Sequence, residues 1–211
     1  MYVGLLMAVF FLVLASSPKV NATSENTFLD GLEADWTYAE TDTNAKISGS
    51  LNDATKLEGT GSMKFITLNG AVVGDYGQYS KTLDLTDVTR LWFWVRTGDK
   101  RTWLAFQVLI GSTVVYDENL SALSAANAWL QKSTSLLSYT GTQTVVFRFK
   151  NVNNATDDTI GWFDNLWKEY TVTPPKYLGA PILYLPENDR DNTYGDNIYF
   201  EWTIGENSEN S

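Results

Sequence analysis

Residues 90–96 read Arg-Leu-Trp-Phe-Trp-Val-Arg, and this stretch decides the fold. Successive side chains of a β-strand point to opposite faces, so a strand here separates two sets of residues. One face carries Leu91, Phe93 and Val95, which suit a hydrophobic core. The other face carries two indole rings between two guanidinium groups. Such a strand either lies between two layers or carries a ligand platform.

The same strand-like pattern continues on both sides of this stretch, over residues 23–172. Short runs rich in β-branched and aromatic residues alternate with polar breaks such as Gly98-Asp99 and Gly111-Ser112. No sustained helical periodicity interrupts them. Many short strands joined by polar turns predict an all-β fold, a two-sheet β-sandwich or jelly roll. The predicted core residues are Leu91, Phe93, Val95, Phe147, Phe149 and Phe163.

The amino-acid composition excludes several classes of function. The chain contains no cysteine and no histidine, which excludes disulfides, a Cys nucleophile, a His general base and a Cys/His zinc site. With 25 acidic and 15 basic residues, the formal net charge is −10. This negative charge argues against nucleic-acid or anionic-membrane partners.

The two ends of the chain differ from its middle. Residues 1–22 predict a signal peptide, because the apolar run 4–15 precedes the small-residue pattern Val20-Asn21-Ala22. An uncleaved anchor is the alternative, but the run is shorter than the about 20 residues of a spanning helix. We therefore expect a secreted or cell-surface protein, without a membrane segment in its mature form.

The C-terminal part begins with paired prolines, Pro174-Pro175, which predict a linker over residues 173–181. Residues 182–211 contain two further strand-like runs, too few to bury a core alone. They predict an incomplete β module, or one completed by another chain, so this segment is a candidate assembly element.

Four motifs in residues 28–167 resemble, in their order and spacing, those of a known family. They are Phe28-Leu29-Asp30-Gly31 followed by Trp36, residues 57–65, residues 83–86 leading into 91–95, and Gly161-Trp162-Phe163-Asp164-Asn165-Leu166. Together they resemble β-jelly-roll (galactose-binding-like) carbohydrate-binding modules. Residues 181–202 are similar to the first two strands of immunoglobulin-like or fibronectin-like repeats. Both resemblances imply a modular extracellular protein.

The first resemblance also implies a structural calcium. In such modules an acidic residue of the first strand and the Asp of the closing strand often bind it. Asp164 matches the closing position, but Leu29 occupies the acidic position, which leaves Asp30 or Glu25 as substitutes. We expect calcium ligands at Asp30 and Asp164. The alternative is that Asp164 only accepts backbone hydrogen bonds.

The resemblance and the Trp/Arg face together predict a sugar-binding surface for polysaccharides or glycoprotein glycans. Indole faces stack on sugar rings, while guanidinium and amide groups bond to hydroxyls. The predicted ligand-binding residues are Trp92, Trp94, Arg96, Trp103, Gln107 and Arg148. Core or edge packing is expected for Trp36, Trp129 and Trp162. The alternative for Trp92 and Trp94 is burial under a loop or a second layer.

Two other classes of function stay open. The first is a structural or adhesive β-sandwich of a surface layer or fibre, which needs no sugar site. The acidic composition without cysteine fits this class equally well. A glycoside-active enzyme fragment needs two carboxylates at a defined separation. Candidate carboxylates are Glu33, Asp35, Asp117 and Glu118, but nothing in the sequence pairs them beside Trp92. We therefore predict a non-catalytic protein.

Overall fold

The computed structural model describes residues 23–42 and 44–172, which belong to one compact unit, Thr23–Val172. The predicted signal peptide, linker and C-terminal module lie outside the described residues. In chain order the strands are β1 (Thr23–Asp30), β2 (Thr37–Glu40), β3 (Ile47–Ser50), β4 (Met63–Thr67), β5 (Tyr76–Asp84), β6 (Val88–Thr97), β7 (Leu104–Ile110), β8 (Thr113–Asn119), β9 (Leu130–Ser135), β10 (Thr142–Asn151) and β11 (Thr159–Val172). A short 3₁₀ helix spans Leu120–Ala122. Among these residues there is no helix of the length and apolar character that crossing a membrane requires.

The strands form two antiparallel sheets, which confirms the predicted all-β sandwich. The first sheet has the order β3-β4-β11-β6-β9, and β1 also pairs with β11. The second sheet has the order β2-β5-β10-β7-β8. β11 organises the first sheet because it is 14 residues long. Its first part pairs with β4 and its last part with β1, while β6 runs along its other side.

The core lies between the inner faces of the two sheets. All six predicted core residues are fully buried there, with 0% exposure. Their rings pack closely, with Phe147 and Phe163 centroids 4.7 Å apart. Burying one such ring contributes about 1.5–3 kcal/mol. Gly161 permits this packing, because a Cβ there would lie 2.7 Å from the Phe149 ring.

One loop covers part of the outer face of the first sheet. This β3–β4 loop spans residues 51–62. Its Asp53 carboxylate accepts hydrogen bonds from Trp162 Nε1 at 3.0 Å and from Lys64 Nζ at 2.9 Å. The backbone N–H of Leu57 donates to Asp164 Oδ2 at 2.6 Å. Trp162 is therefore only 7% exposed, which agrees with the packing role expected for it.

Candidate functional site

A β-bulge in β11 decides which side chains share the outer face of the first sheet. Asp164 lies opposite Trp94 of β6, and Trp167 lies opposite Trp92. Asn165 and Leu166 of β11 therefore lie opposite the single residue Phe93 of β6. Two residues opposite one is what defines a β-bulge. Asn165, at φ 46°, has the left-handed conformation there. Because the bulge shifts the alternation by one, Trp167 faces outward.

The part of this face that the β3–β4 loop does not cover carries a groove of about 220 Å³, which we call the aromatic groove. Its lining residues are Asn26, Trp92, Trp94, Gln131 and Trp167. The three indoles are half-buried, so each presents part of its ring to solvent. The two amides come from the flanking strands β1 and β9. The groove therefore combines apolar ring faces with neutral hydrogen-bonding groups.

Phe28 extends the apolar surface beyond the groove. It is 49% exposed, and its ring meets Trp167 edge-on, with the centroids 5.6 Å apart. The two residues are cross-strand partners on β1 and β11. This places an aromatic row across three neighbouring strands, from Phe28 through Trp167 to Trp92.

Polar neighbours hold Trp92 in place. Glu169 Oε2 accepts a hydrogen bond from Trp92 Nε1 at 3.0 Å. The Arg90 guanidinium carbon lies 5.5 Å from the Trp92 ring centroid, and Arg90 Nε is 3.5 Å from Glu169 Oε2. Arg90 also donates to Ser133 Oγ at 3.2 Å. The indole is thus held from two sides. Less side-chain entropy is therefore lost when a ligand binds to it.

The structure does not bring the six predicted ligand-binding residues together on one face. Trp92 and Trp94 line the aromatic groove as expected. Arg96 shares their face, but its guanidinium carbon lies 5.7 Å from the Trp162 ring centroid, and it does not line the groove. Trp103 lies in the segment before β7 and packs with Ile47, Ala71 and Ala155 instead.

Gln107 and Arg148 belong to β7 and β10 of the second sheet, on its outer face, so the sandwich separates them from Trp92. Gln107 is 3% exposed and donates to Asp117 Oδ2 at 3.0 Å. Arg148 donates twice to Gln78 Oε1, at 3.0 and 2.8 Å. Strand alternation gives the face of a residue, but sheet membership depends on long-range pairing.

The predicted calcium ligands Asp30 and Asp164 have different hydrogen-bond partners in the structure. The Asp30 carboxylate accepts hydrogen bonds from Trp36 Nε1 and the Leu32 N–H, and lies 2.7 Å from Lys81 Nζ. Calcium binding at Asp30 stays a prediction. No cluster of three or more metal-binding side chains occurs in the parts of the chain that the structure describes.

Asp164 is fully buried, with 0% exposure. Burial raises the pKa of its carboxyl, and the negative charge of Glu33 adds to this effect. Both of its oxygens accept backbone hydrogen bonds, from Leu57 and from Asn165. Calcium binding at Asp164 stays a prediction.

Three of the four candidate catalytic carboxylates have hydrogen-bond partners outside the aromatic groove. Glu33 accepts hydrogen bonds from Thr60, Asp117 accepts from Gln107, and Glu118 accepts from Tyr116 and Lys132. The aromatic groove itself is lined by indoles and amides.

Three residues of the groove, Asn26, Gln131 and Trp167, were not predicted from the sequence as ligand-binding residues. Trp167 was assigned no role there. Its outward position follows from the bulge, for which the only sequence signal is Asn165, since Asn tolerates positive φ. Asn26 and Gln131 belong to strands whose neighbours only the folded sheet defines.

No protein-family model matches this chain, and no curated protein matches it. Solved structures similar to it include the K2 cleaved adhesin domain of Lys-gingipain, at 18% identity and a TM-score of 0.47, covering 69% of this chain and 99% of that domain. The K1 adhesin domain from Porphyromonas gingivalis W83 has 18% identity and a TM-score of 0.46, covering 69% and 97%. The family 11 carbohydrate-binding module from Clostridium thermocellum, in complex with a mixed-linked tetrasaccharide, has 14% identity and a TM-score of 0.45, covering 68% and 94%. Likeness at this level assigns no function to this chain.

Proposed function

We propose that this chain is an extracellular, non-catalytic carbohydrate-binding module that stacks sugar rings in the aromatic groove. The observation that carries the proposal is the convergence of Trp92, Trp94 and Trp167 on one groove between two amides. Indole faces pack against the apolar C–H faces of sugar rings. Amides both donate and accept, so Asn26 and Gln131 suit sugar hydroxyls.

This proposal changes the polar partners expected from the sequence. Arg96, Gln107 and Arg148 do not line the groove, so the orienting role passes to Asn26 and Gln131. The affinity comes mainly from the indoles, because large aromatic side chains dominate the energy of binding surfaces. Truncating one groove tryptophan should therefore weaken binding about tenfold or more, which corresponds to about 1.4 kcal/mol.

A glycan screen of the full chain tests the proposal. Intrinsic tryptophan fluorescence and affinity electrophoresis through polysaccharide gels are suitable readouts, because three of the eight tryptophans line the groove. We expect saturable binding to at least one glycan, lost in Trp94→Ala. Leu137→Ala is the control, since Leu137 is 80% exposed and lies outside the groove lining. A screen without any saturable ligand would count against the proposal.

A structural or adhesive β-sandwich is the second candidate function. The exposed ring of Phe28 beside Trp167 favours it, because an apolar aromatic surface also suits a protein partner. In that case glycans leave the fluorescence unchanged. Sedimentation would instead detect concentration-dependent self-association that Phe28→Ser abolishes.

A glycoside-active enzyme fragment is the least supported candidate. The groove lining contains no carboxylate among the described residues, whereas glycoside hydrolysis usually requires two. Incubation with any glycan that binds, followed by chromatography of the products, distinguishes this candidate. Release of shorter sugars would overturn the non-catalytic assignment.

A further inference from the structure

We propose that Asp164 is a positioning residue for the aromatic groove, because its carboxylate holds the bulge that turns Trp167 toward the ligand. This inference rests on the proposed function, because a positioning residue requires a binding site. The geometry of the bulge can nevertheless be tested without any glycan. Asp164 itself does not line the groove. Its effect passes through the β11 backbone.

The carboxylate joins two pieces of backbone. Asp164 Oδ1 accepts the N–H of Asn165 at 2.8 Å, inside the bulge. Its Oδ2 accepts the N–H of Leu57 at 2.6 Å, from the β3–β4 loop. The bond from Asn165 is buried and the bond from Leu57 is partly buried, while the Asp164 side chain has 0% exposure. The bulge is thereby tied to the loop that packs over it.

The bulge decides which residues face the core. Phe163 and Leu166 are both fully buried, although they are three positions apart in one strand. In a regular strand, residues 163, 165 and 167 would share the inner face, and Leu166 would point outward. The additional residue at the bulge reverses this order. It buries Leu166 and places Trp167 opposite Trp92 in the groove.

The position requires a carboxylate and not only a polar side chain. Each carboxylate oxygen receives one N–H donor, whereas an asparagine offers one acceptor oxygen and an NH₂ group. Asp164→Asn therefore leaves one buried N–H facing another donor, which is unfavourable. Asn165 contributes the second requirement, since it adopts a φ of 46° that β-branched residues avoid.

Hydroxyl-radical footprinting of the full chain, resolved by mass spectrometry, tests the inference. In wild type we expect labelling of Trp167 and protection of Leu166. In Asp164→Asn we expect Trp167 labelling to change at least threefold and Leu166 to become labelled. Asp53→Asn is the matched control, because it loosens the same loop without contacting the bulge. All samples contain EDTA, so that the carboxylate is tested without metal.

A second pair of variants covers the case that Asp164→Asn does not fold. Asn165→Gly accepts positive φ and should keep the wild-type footprint, whereas Asn165→Val should shift it as Asp164→Asn does. For any glycan found in the screen, affinity should fall at least tenfold in the shifted variants only. A wild-type footprint in Asp164→Asn or in Asn165→Val overturns the inference. A wild-type chain that binds no glycan overturns the proposed function and leaves the footprinting result valid.

Discussion

Glu169 on β11 accepts a hydrogen bond across 3.0 Å from the indole N–H of Trp92 on β6. A bond to an ionised acceptor is stronger than a neutral one. Arg90, 3.5 Å from the same carboxylate oxygen, balances its charge. The Trp92 indole, at the β6 end of the aromatic row, is therefore oriented before any ligand binds.

The first prediction concerns this orientation. Glu169→Ala should weaken glycan binding about threefold to tenfold, because the Trp92 ring then becomes ordered only on binding. Isothermal titration calorimetry measures the change, with a less favourable binding entropy as its signature. Asp157→Ala is the control, since it removes the same charge at a site that is 60% exposed and outside the groove lining. An unchanged affinity in Glu169→Ala would show that the indole needs no such support.

The second prediction concerns the core. Phe147→Ala should lower the free energy of unfolding by about 3–5 kcal/mol, because the ring is fully buried among Phe93, Trp36 and Phe163. Urea denaturation measures this loss. The exposed Leu137→Ala should stay within about 0.5 kcal/mol of wild type. A loss below about 1 kcal/mol in Phe147→Ala would contradict the packing described above.

The third prediction concerns pH. Burial acts to raise the pKa of Asp53, but hydrogen bonds from Lys64, Thr55 and Trp162 outweigh it and hold the pKa below its usual value. A carboxyl with a lowered pKa stabilises the fold above its unfolded pKa, and this contribution disappears as the pH falls through the folded value.

Wild type should therefore exceed Asp53→Asn in the free energy of unfolding by about 1–3 kcal/mol near pH 7. The difference should shrink below about pH 4, where the unfolded carboxyl becomes protonated. Denaturation series at several pH values measure it. A difference that stays constant down to about pH 2 would rule out the ionised Asp53 as its source.

The fourth prediction concerns calcium at Asp164. A metal that binds only the native state raises the melting temperature. We expect a higher melting temperature in millimolar calcium than in EDTA, with the difference lost in Asp164→Asn. Differential scanning calorimetry measures it. Equal melting temperatures in both buffers would mean that the carboxylate is satisfied by the Leu57 and Asn165 N–H groups alone.

Alternation within single strands could be predicted from the sequence, because a period of two is a local property. Leu91, Phe93 and Val95 are buried for this reason, and Trp92 and Trp94 between them face outward. The same reasoning cannot detect a bulge. Counting by two from Phe163 would have placed Trp167 inside, and only the conformation of Asn165 reverses that result.

Strand alternation also could not predict which residues come together in the candidate site. Gln107 and Arg148 have the expected outward orientation, but they belong to the other sheet. Which strands become neighbours depends on pairings between residues far apart in the chain, such as Trp92 with Trp167. Predicting a surface that crosses four strands requires this pairing.

Calorimetric titration of Trp94→Ala tests the central claim most directly. The ligand is any glycan that the wild-type chain binds, and circular dichroism checks that the variant is folded. We expect at least about a tenfold loss of affinity, because the indole forms part of the groove on which sugars stack. Trp103→Phe, at a tryptophan outside the groove lining, should keep the wild-type affinity. A folded Trp94→Ala variant that binds the glycan as tightly as wild type would contradict the account.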